Sequence, residues 1–218
     1  MCFSANASFG ASALLAGIGI ISIVKARTVP QRLFAATPIL FSIQQLAEGM
    51  LWLSLRQPAL ENWQPVFTYI FLVFAMAAWP FWIPFTIWKL EKDKQRKKIL
   101  SILTLLGSLL SIVVGCVLLF FPVKVMASHH HLHYSFTFPQ VAKNMIWLFT
   151  LLYIFSTIIA PFISGSKRMK WLGIIYLASY LFSVIFYNGF VISVWCYFAA
   201  VLSIIVLWII MELRKSRY

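Results

Sequence analysis

Acid is what this chain has least of. Five Asp and Glu residues stand against 18 Lys and Arg in 218 residues, for a formal net charge of +13. Charged residues make up only 11% of the chain and hydrophobic residues 62%. A soluble domain carries about 25% charged residues, so a water-soluble globule is excluded. Cysteine is scarce too: Cys2, Cys116 and Cys196 include no C-x-x-C pair. That argues against thioredoxin-like redox chemistry, and three cysteines do not make a disulfide framework. A Cys2–Cys196 bridge outside the cytoplasm stays open. H-E-x-x-H is missing, which removes the common helical zinc motif. Residues 190–211 contain no lysine, which argues against a retinal Schiff base. No basic segment precedes the first apolar run and no A-x-A site follows it, so no cleavable signal peptide is expected.

What is present is apolar sequence in lengths of about 20 residues, enough to span a bilayer. Seven runs are predicted as helices: 6–24, 33–54, 65–88, 99–121, 144–163, 171–187 and 190–211. The last two are divided at the turn signal Tyr187-Asn188-Gly189. The expected fold is all-α, a polytopic bundle of seven transmembrane helices forming one domain over residues 1–218. The basic residues lie in short loops between the runs, a pattern that orients membrane helices rather than one that binds nucleic acid. One set of loops holds Lys25, Arg27 and Arg32, the cluster from Lys89 to Lys98, Lys167, Arg168 and Lys170, and Arg214, Lys215 and Arg217. The opposite set holds only Arg56, Lys124 and Lys143. This bias places the N-terminus outside and the C-terminus in the cytoplasm.

Several local features predict packing. Ala13 and Gly17, and then Gly107, Ser111 and Gly115, recur every four residues and let a neighbouring helix approach closely. Pro80 and Pro84 are expected to kink the third helix. Pro30-Gln31 faintly matches the proline-glutamine motif of seven-helix sugar exporters, but no second copy supports an internal repeat.

Function is expected to gather around Glu48, the one acid well inside an apolar run. An ionisable residue at membrane depth is costly and commonly faces a cavity, a partner or a proton path. Phe41, Gln44, Gln45, Glu48 and Trp52 recur at three- and four-residue spacing and form one helix face. The competing interpretation is an interhelical polar clamp around a protonated Glu48, since burial favours the neutral form. Counting about 1.5 Å per residue, Glu48, Cys116 and Cys196 lie at one level, roughly 8–9 Å below the outer surface. Taken singly, Cys116 and Cys196 are expected as small buried hydrophobes. The outer segment Ser128–Tyr134 carries all four histidines. With Cys2 and Glu48 on the same side, His130 completes a candidate set for zinc or copper. Against this stands a histidine-rich loop with only loose metal affinity.

The string Met1-Cys2-Phe3-Ser4-Ala5-Asn6-Ala7-Ser8-Phe9 resembles the opening of a family of uncharacterised bacterial multi-pass integral membrane proteins beginning MCFSAxASF. A Q-Q-x-x-E-G-x-x-W stretch is matched by Gln44, Gln45, Glu48, Gly49 and Trp52. A histidine four residues before a tyrosine is matched by His130 and Tyr134. A C-terminal S-V-W-C-x-F-A-A is matched by Ser193, Val194, Trp195, Cys196, Phe198, Ala199 and Ala200. The resemblance covers the full length and implies a bacterial cytoplasmic membrane. It adds weight to Cys2, Glu48, His130 and Cys196 as a set, and it implies no activity.

Two functions are expected from these residues. The first is a transporter or sensor that binds a small or lipid-like ligand in an outward-facing pocket. Gln44, Gln45, Glu48, Trp52, Trp195, Cys196 and Tyr134 would line that pocket, with His130 and Tyr134 in its lid. The second is a metal-dependent enzyme acting on a lipid or other apolar substrate at the outer leaflet, with His130, Glu48 and a cysteine as ligands. A redox protein working through Cys2 and Cys196 ranks below both. The bilayer is a partner in every case, and association into a homo-oligomer stays open.

Overall fold

A computed structural model describes residues 4–128, 131–137, 144–187 and 190–215. Its first helix, α1 (Ala5–Lys25), begins where the Ser4 hydroxyl accepts a hydrogen bond from the Ala7 N–H. Such a cap satisfies one of the donors left open at a helix start. Helix α2 (Val29–Ala35) starts in the same way on Thr28, with Pro30 in its first turn. Helix α3 (Thr37–Ser54) follows after Ala36 and has Pro38 in its first turn. The span predicted over 33–54 is therefore divided. Proline lacks the N–H of an interior helical position and is tolerated in a first turn. A 3₁₀ segment, Pro58–Trp63, leads into α4 (Gln64–Leu72), π-helical turns over Val73–Ala78, α5 (Trp79–Leu90) and α6 (Lys94–Phe120). After a β-hairpin come α7 (Ile146–Ile154), a second π-helical segment (Phe155–Ile159), α8 (Ala160–Ile163), α9 (Lys167–Phe186), α10 (Val191–Tyr197) and α11 (Ala199–Lys215).

Among the described residues, five helical stretches are long and apolar enough to cross a membrane: Ala5–Lys25, Pro58–Leu90, Lys94–Phe120, Ile146–Ile163 and Lys167–Phe186. Large apolar side chains stand exposed along them, among them Val24, Leu119 and Phe120. An uninterrupted apolar surface of this kind is unfavourable in water. The predicted span 190–211 is interrupted at Phe198, between α10 and α11. The division predicted at Tyr187 agrees with the end of α9 at Phe186, and Asn188 and Gly189 lie outside the described residues.

One expectation is corrected. The segment read as a histidine-rich loop forms paired strands, β1 (Val123–Ser128) and β2 (His131–Phe136), a small hairpin in a chain whose described residues are otherwise mostly helical. The cause is visible in β2, where buried Leu132 and Tyr134 alternate with exposed His133 and Ser135. That period of two suits a strand with one buried face.

The chain forms two compact units. The first comprises Met1–Phe71, Val125–His133 and Ile175–Tyr218. In it α1 packs against α3, and α11 packs against both. Three contacts set the register of α1 and α3. Gly19 meets Ile39, Ser12 meets Ser42, and Gly49 meets Phe9. As one helix ascends the other descends, so the pair is antiparallel. The Ser12 hydroxyl donates to the Ser42 carbonyl at 2.9 Å, and the Ser42 hydroxyl donates to the Ser12 carbonyl at 2.8 Å. Small residues and reciprocal hydroxyl bonds hold helices together where lipid removes the hydrophobic drive.

The second unit comprises Leu72–Lys124 and Tyr134–Ile174. The expected proline disruption takes a specific form here. π-Helical turns precede Pro80, and a second π-helical segment precedes Pro161. Wide turns and missing proline N–H groups free backbone carbonyls, which in an apolar setting need other donors. The Tyr153 hydroxyl donates to the Ala75 carbonyl at 2.8 Å, and the Ser111 hydroxyl donates to the Ala77 carbonyl. In the second segment Ser156 and Thr157 donate back to Leu152 and Tyr153. The glycine stripe on α6 is used in part. A Cβ at Gly107 would collide with the Pro80 carbonyl, whereas one at Gly115 would meet nothing within 4 Å.

Glu91 ties two turns of this unit together. Its Oε1 accepts from the N–H groups of Lys92 and Asp93, and its Oε2 accepts from the Gly165 N–H at 2.8 Å. Partial burial pushes the carboxyl up. The bonds from Gly165, Asp93, Lys92 and the Ser164 hydroxyl outweigh it and hold the pKa below the ordinary glutamate value.

Candidate functional site: the buried polar face of α3

Helix α3 carries its polar residues inward, with Phe41, Leu51 and Trp52, and turns Ile43 and Leu46 outward. Ile43 and Leu46 are 42% and 48% exposed, whereas Gln44, Gln45, Glu48 and Trp52 are at most 2% exposed. This is the reverse of a helix facing water. The predicted face is thus a real one, and it points into the protein.

Neighbouring helices add polar groups. In the α1–α3 register, Ser8 comes level with Glu48, because Phe9 packs on Gly49. Ser8 and, on α11, Ser203 are each 1% exposed. Gln45 Nε2, Trp52 Nε1, Ser8 Oγ and Ser203 Oγ are buried polar atoms of this unit with no hydrogen-bond partner among the described residues. Each such atom costs about 1–3 kcal/mol, more than a purely structural bundle needs to carry.

One turn beyond Trp52, the exposed Arg56 places its guanidinium over the indole, 5.5 Å from the ring centre. Arg56 also lines an open depression of about 240 Å³ with Ser54, Gln57, Glu61 and Gln64. The 3₁₀ turn after α3 brings Glu61 to this rim.

A family model described as a family of unknown function, DUF6629, matches residues 1–217. The chain belongs to DUF6629. It matches no curated protein and no solved structure.

The remaining predicted residues of this DUF6629 chain are spread more widely. Trp195 sits on α10, its indole N–H donating to the Ser179 hydroxyl at 3.0 Å and its ring meeting Tyr180 edge-on at 5.3 Å. Cys196 is on the same helix, and its side chain lies outside the described residues. Tyr134 is buried on β2 and falls in the second unit. Cys2 and His130, the expected zinc or copper ligands beside Glu48, lie outside the described residues. Among the described residues no three His, Cys, Asp or Glu side chains are grouped to hold a metal ion. Cys116 departs from expectation: it is exposed on α6, beside exposed Ile112 and Val113, and not buried.

The two described hairpin histidines, His131 and His133, contact aromatic rings. His131 stacks on Phe190 at 4.7 Å and meets Tyr187 edge-on at 5.4 Å, and His133 approaches Phe190 edge-on at 6.2 Å.

Sequence reasoning missed Ser8, Ser203 and the placement of Arg56. Arg56 was legible, since it lies eight residues from Glu48 and four from Trp52 on one helical face. The two serines carried no signal, because serine is common in apolar helices and its role depends on which helix it faces.

Proposed function

We propose that this chain is an integral protein of the bacterial cytoplasmic membrane that crosses the bilayer seven times. Its N-terminus is outside and its C-terminus is cytoplasmic. It binds a small or lipid-like molecule within the first unit, as a transporter or sensor. The broken pairs α2–α3 and α10–α11 supply the two crossings beyond the five continuous apolar helices. Interrupted helices are common at transporter binding sites, where they offer polar groups at membrane depth.

One observation carries the ligand-binding function: Gln44, Gln45, Glu48 and Trp52 are all buried on the inward face of α3, beside buried donors that lack partners. Glu48 serves as a hydrogen-bonding and protonatable group at the site, and Arg56 stands at its outer mouth. The test is retention of a copurifying molecule. Wild-type protein keeps it through gentle purification, and Glu48→Ala loses it while eluting as the same species. Equal retention, or none in either protein, contradicts the assignment. A metal that is stoichiometric in wild type and lost in His130→Ala favours a metalloenzyme instead.

A further inference from the structure

On the basis of the ligand-binding function proposed above, we infer that the molecule bound is a small carboxylate, taken in past Arg56 and held by a buried array of donors on α1, α3 and α11. The unpartnered atoms set this chemistry. The Gln45 amide nitrogen and the Trp52 indole nitrogen can only donate, and the Ser8 and Ser203 hydroxyls can donate or accept. An ammonium or guanidinium ligand leaves both nitrogens unsatisfied. A carboxylate offers two oxygens with about four lone-pair sites and satisfies such donors with charge-assisted bonds.

The mouth carries one charge of each sign, Arg56 over the Trp52 ring and Glu61 on the same rim, and Arg56 is the one with which an approaching anion can pair. Held neutral, the Glu48 carboxyl would not repel such a ligand.

The depression of about 240 Å³ at Arg56 is lined by none of the four donors and is an approach to the site rather than the site itself. Trp52 lies between this mouth and the Glu48 level, with one face of its ring under Arg56 and its N–H buried. Its N–H therefore serves the ligand, and its ring serves the mouth. The two roles separate in Trp52→Phe, which keeps a ring and deletes the donor.

The experiment uses detergent-purified full-length protein and two probes of matched size, sodium benzoate and benzylammonium chloride, titrated by calorimetry. Benzoate is expected to bind and benzylammonium not to bind. Trp52→Phe is expected to weaken benzoate about tenfold, the effect of losing one hydrogen bond to a charged acceptor. Trp52→Phe removes volume from a fully buried position and is expected to lower the ligand-free melting temperature whatever the N–H does, so affinity is the readout. Benzoate bound equally tightly by Trp52→Phe and wild type overturns the inference. Binding of benzylammonium in preference to benzoate overturns it too, while leaving the ligand-binding function intact. Binding of neither probe overturns the carboxylate assignment. The function itself is then decided separately, by the molecule retained in wild type and lost in Glu48→Ala.

Discussion

Arg56 sits 5.5 Å above the centre of the Trp52 ring, one helical turn further along the same chain. A cation on an aromatic face at a solvent-open mouth gains about 0.5–1 kcal/mol, a modest tie that leaves the charge available to an incoming ligand. Buried Glu48 lies one turn further in the opposite direction, so rim, ring and carboxyl follow one another along α3.

Removing that charge tests the mouth. Arg56→Gln is expected to reduce carboxylate affinity about three- to tenfold, chiefly through slower association. Wild-type affinity is expected to weaken between low and 0.5 M salt, as for any exposed charge, and the variant to show little salt dependence. Titrations at two ionic strengths check this. Equal salt dependence in both proteins removes Arg56 from the entry route.

Close helix approach in the second unit makes a sharp contrast between two glycines. Gly107→Ala drives a methyl group into the Pro80 carbonyl, a backbone atom that cannot rotate away. Overpacking of this kind costs about 1–3 kcal/mol, seen as a clear fall in melting temperature. Gly115→Ala, with nothing within 4 Å of the new methyl, is expected to melt within a degree or two of wild type. Thermal melts of the two variants in the same detergent decide it.

Glu91 gives the second unit an acid-sensitive tie. Its folded pKa is held below the ordinary value, so its contribution is fully present above that value, about 4.3 in the unfolded chain. The contribution is lost as pH falls through the depressed folded value. At so exposed a site it amounts to no more than about 1 kcal/mol. Wild type is expected to lose stability on acidification below the ordinary glutamate range more steeply than Glu91→Gln. Parallel melting curves across that range contradict the role given to Glu91.

The crossing pattern has a direct check. A single thiol placed at Gln57 in a cysteine-free background is expected to react with a membrane-impermeant maleimide in intact cells. One placed at Lys92 is expected to react only after lysis. The opposite result inverts the proposed orientation.

Much of the fold was legible because apolar length is a strong signal. The five long helices lie within or around predicted runs, and the inward face of α3 followed from the spacing of Gln44, Gln45, Glu48 and Trp52. The division at Ala36 was missed because Pro38 stands inside a run that reads as continuous by hydropathy. The hairpin was missed because histidine and serine mask the alternation of Leu132 and Tyr134. Proline disruption was expected at Pro80, but its form as π-helical turns depends on Ser111 and Tyr153. Those residues lie far off in sequence and satisfy the freed carbonyls. Ser8 joined the site only once Phe9 and Gly49 fixed the register of two helices, which no single stretch of sequence encodes.

The proposed role of the first unit is to hold a small molecule in its polar interior through Glu48 and its neighbours. The most direct measurement is a native mass spectrum of protein released gently from its membrane, for wild type and Glu48→Ala side by side. The account predicts a one-to-one added mass of a small acid on wild type, missing from the variant. A wild-type spectrum at the bare chain mass, or an added mass that persists unchanged in Glu48→Ala, would contradict it.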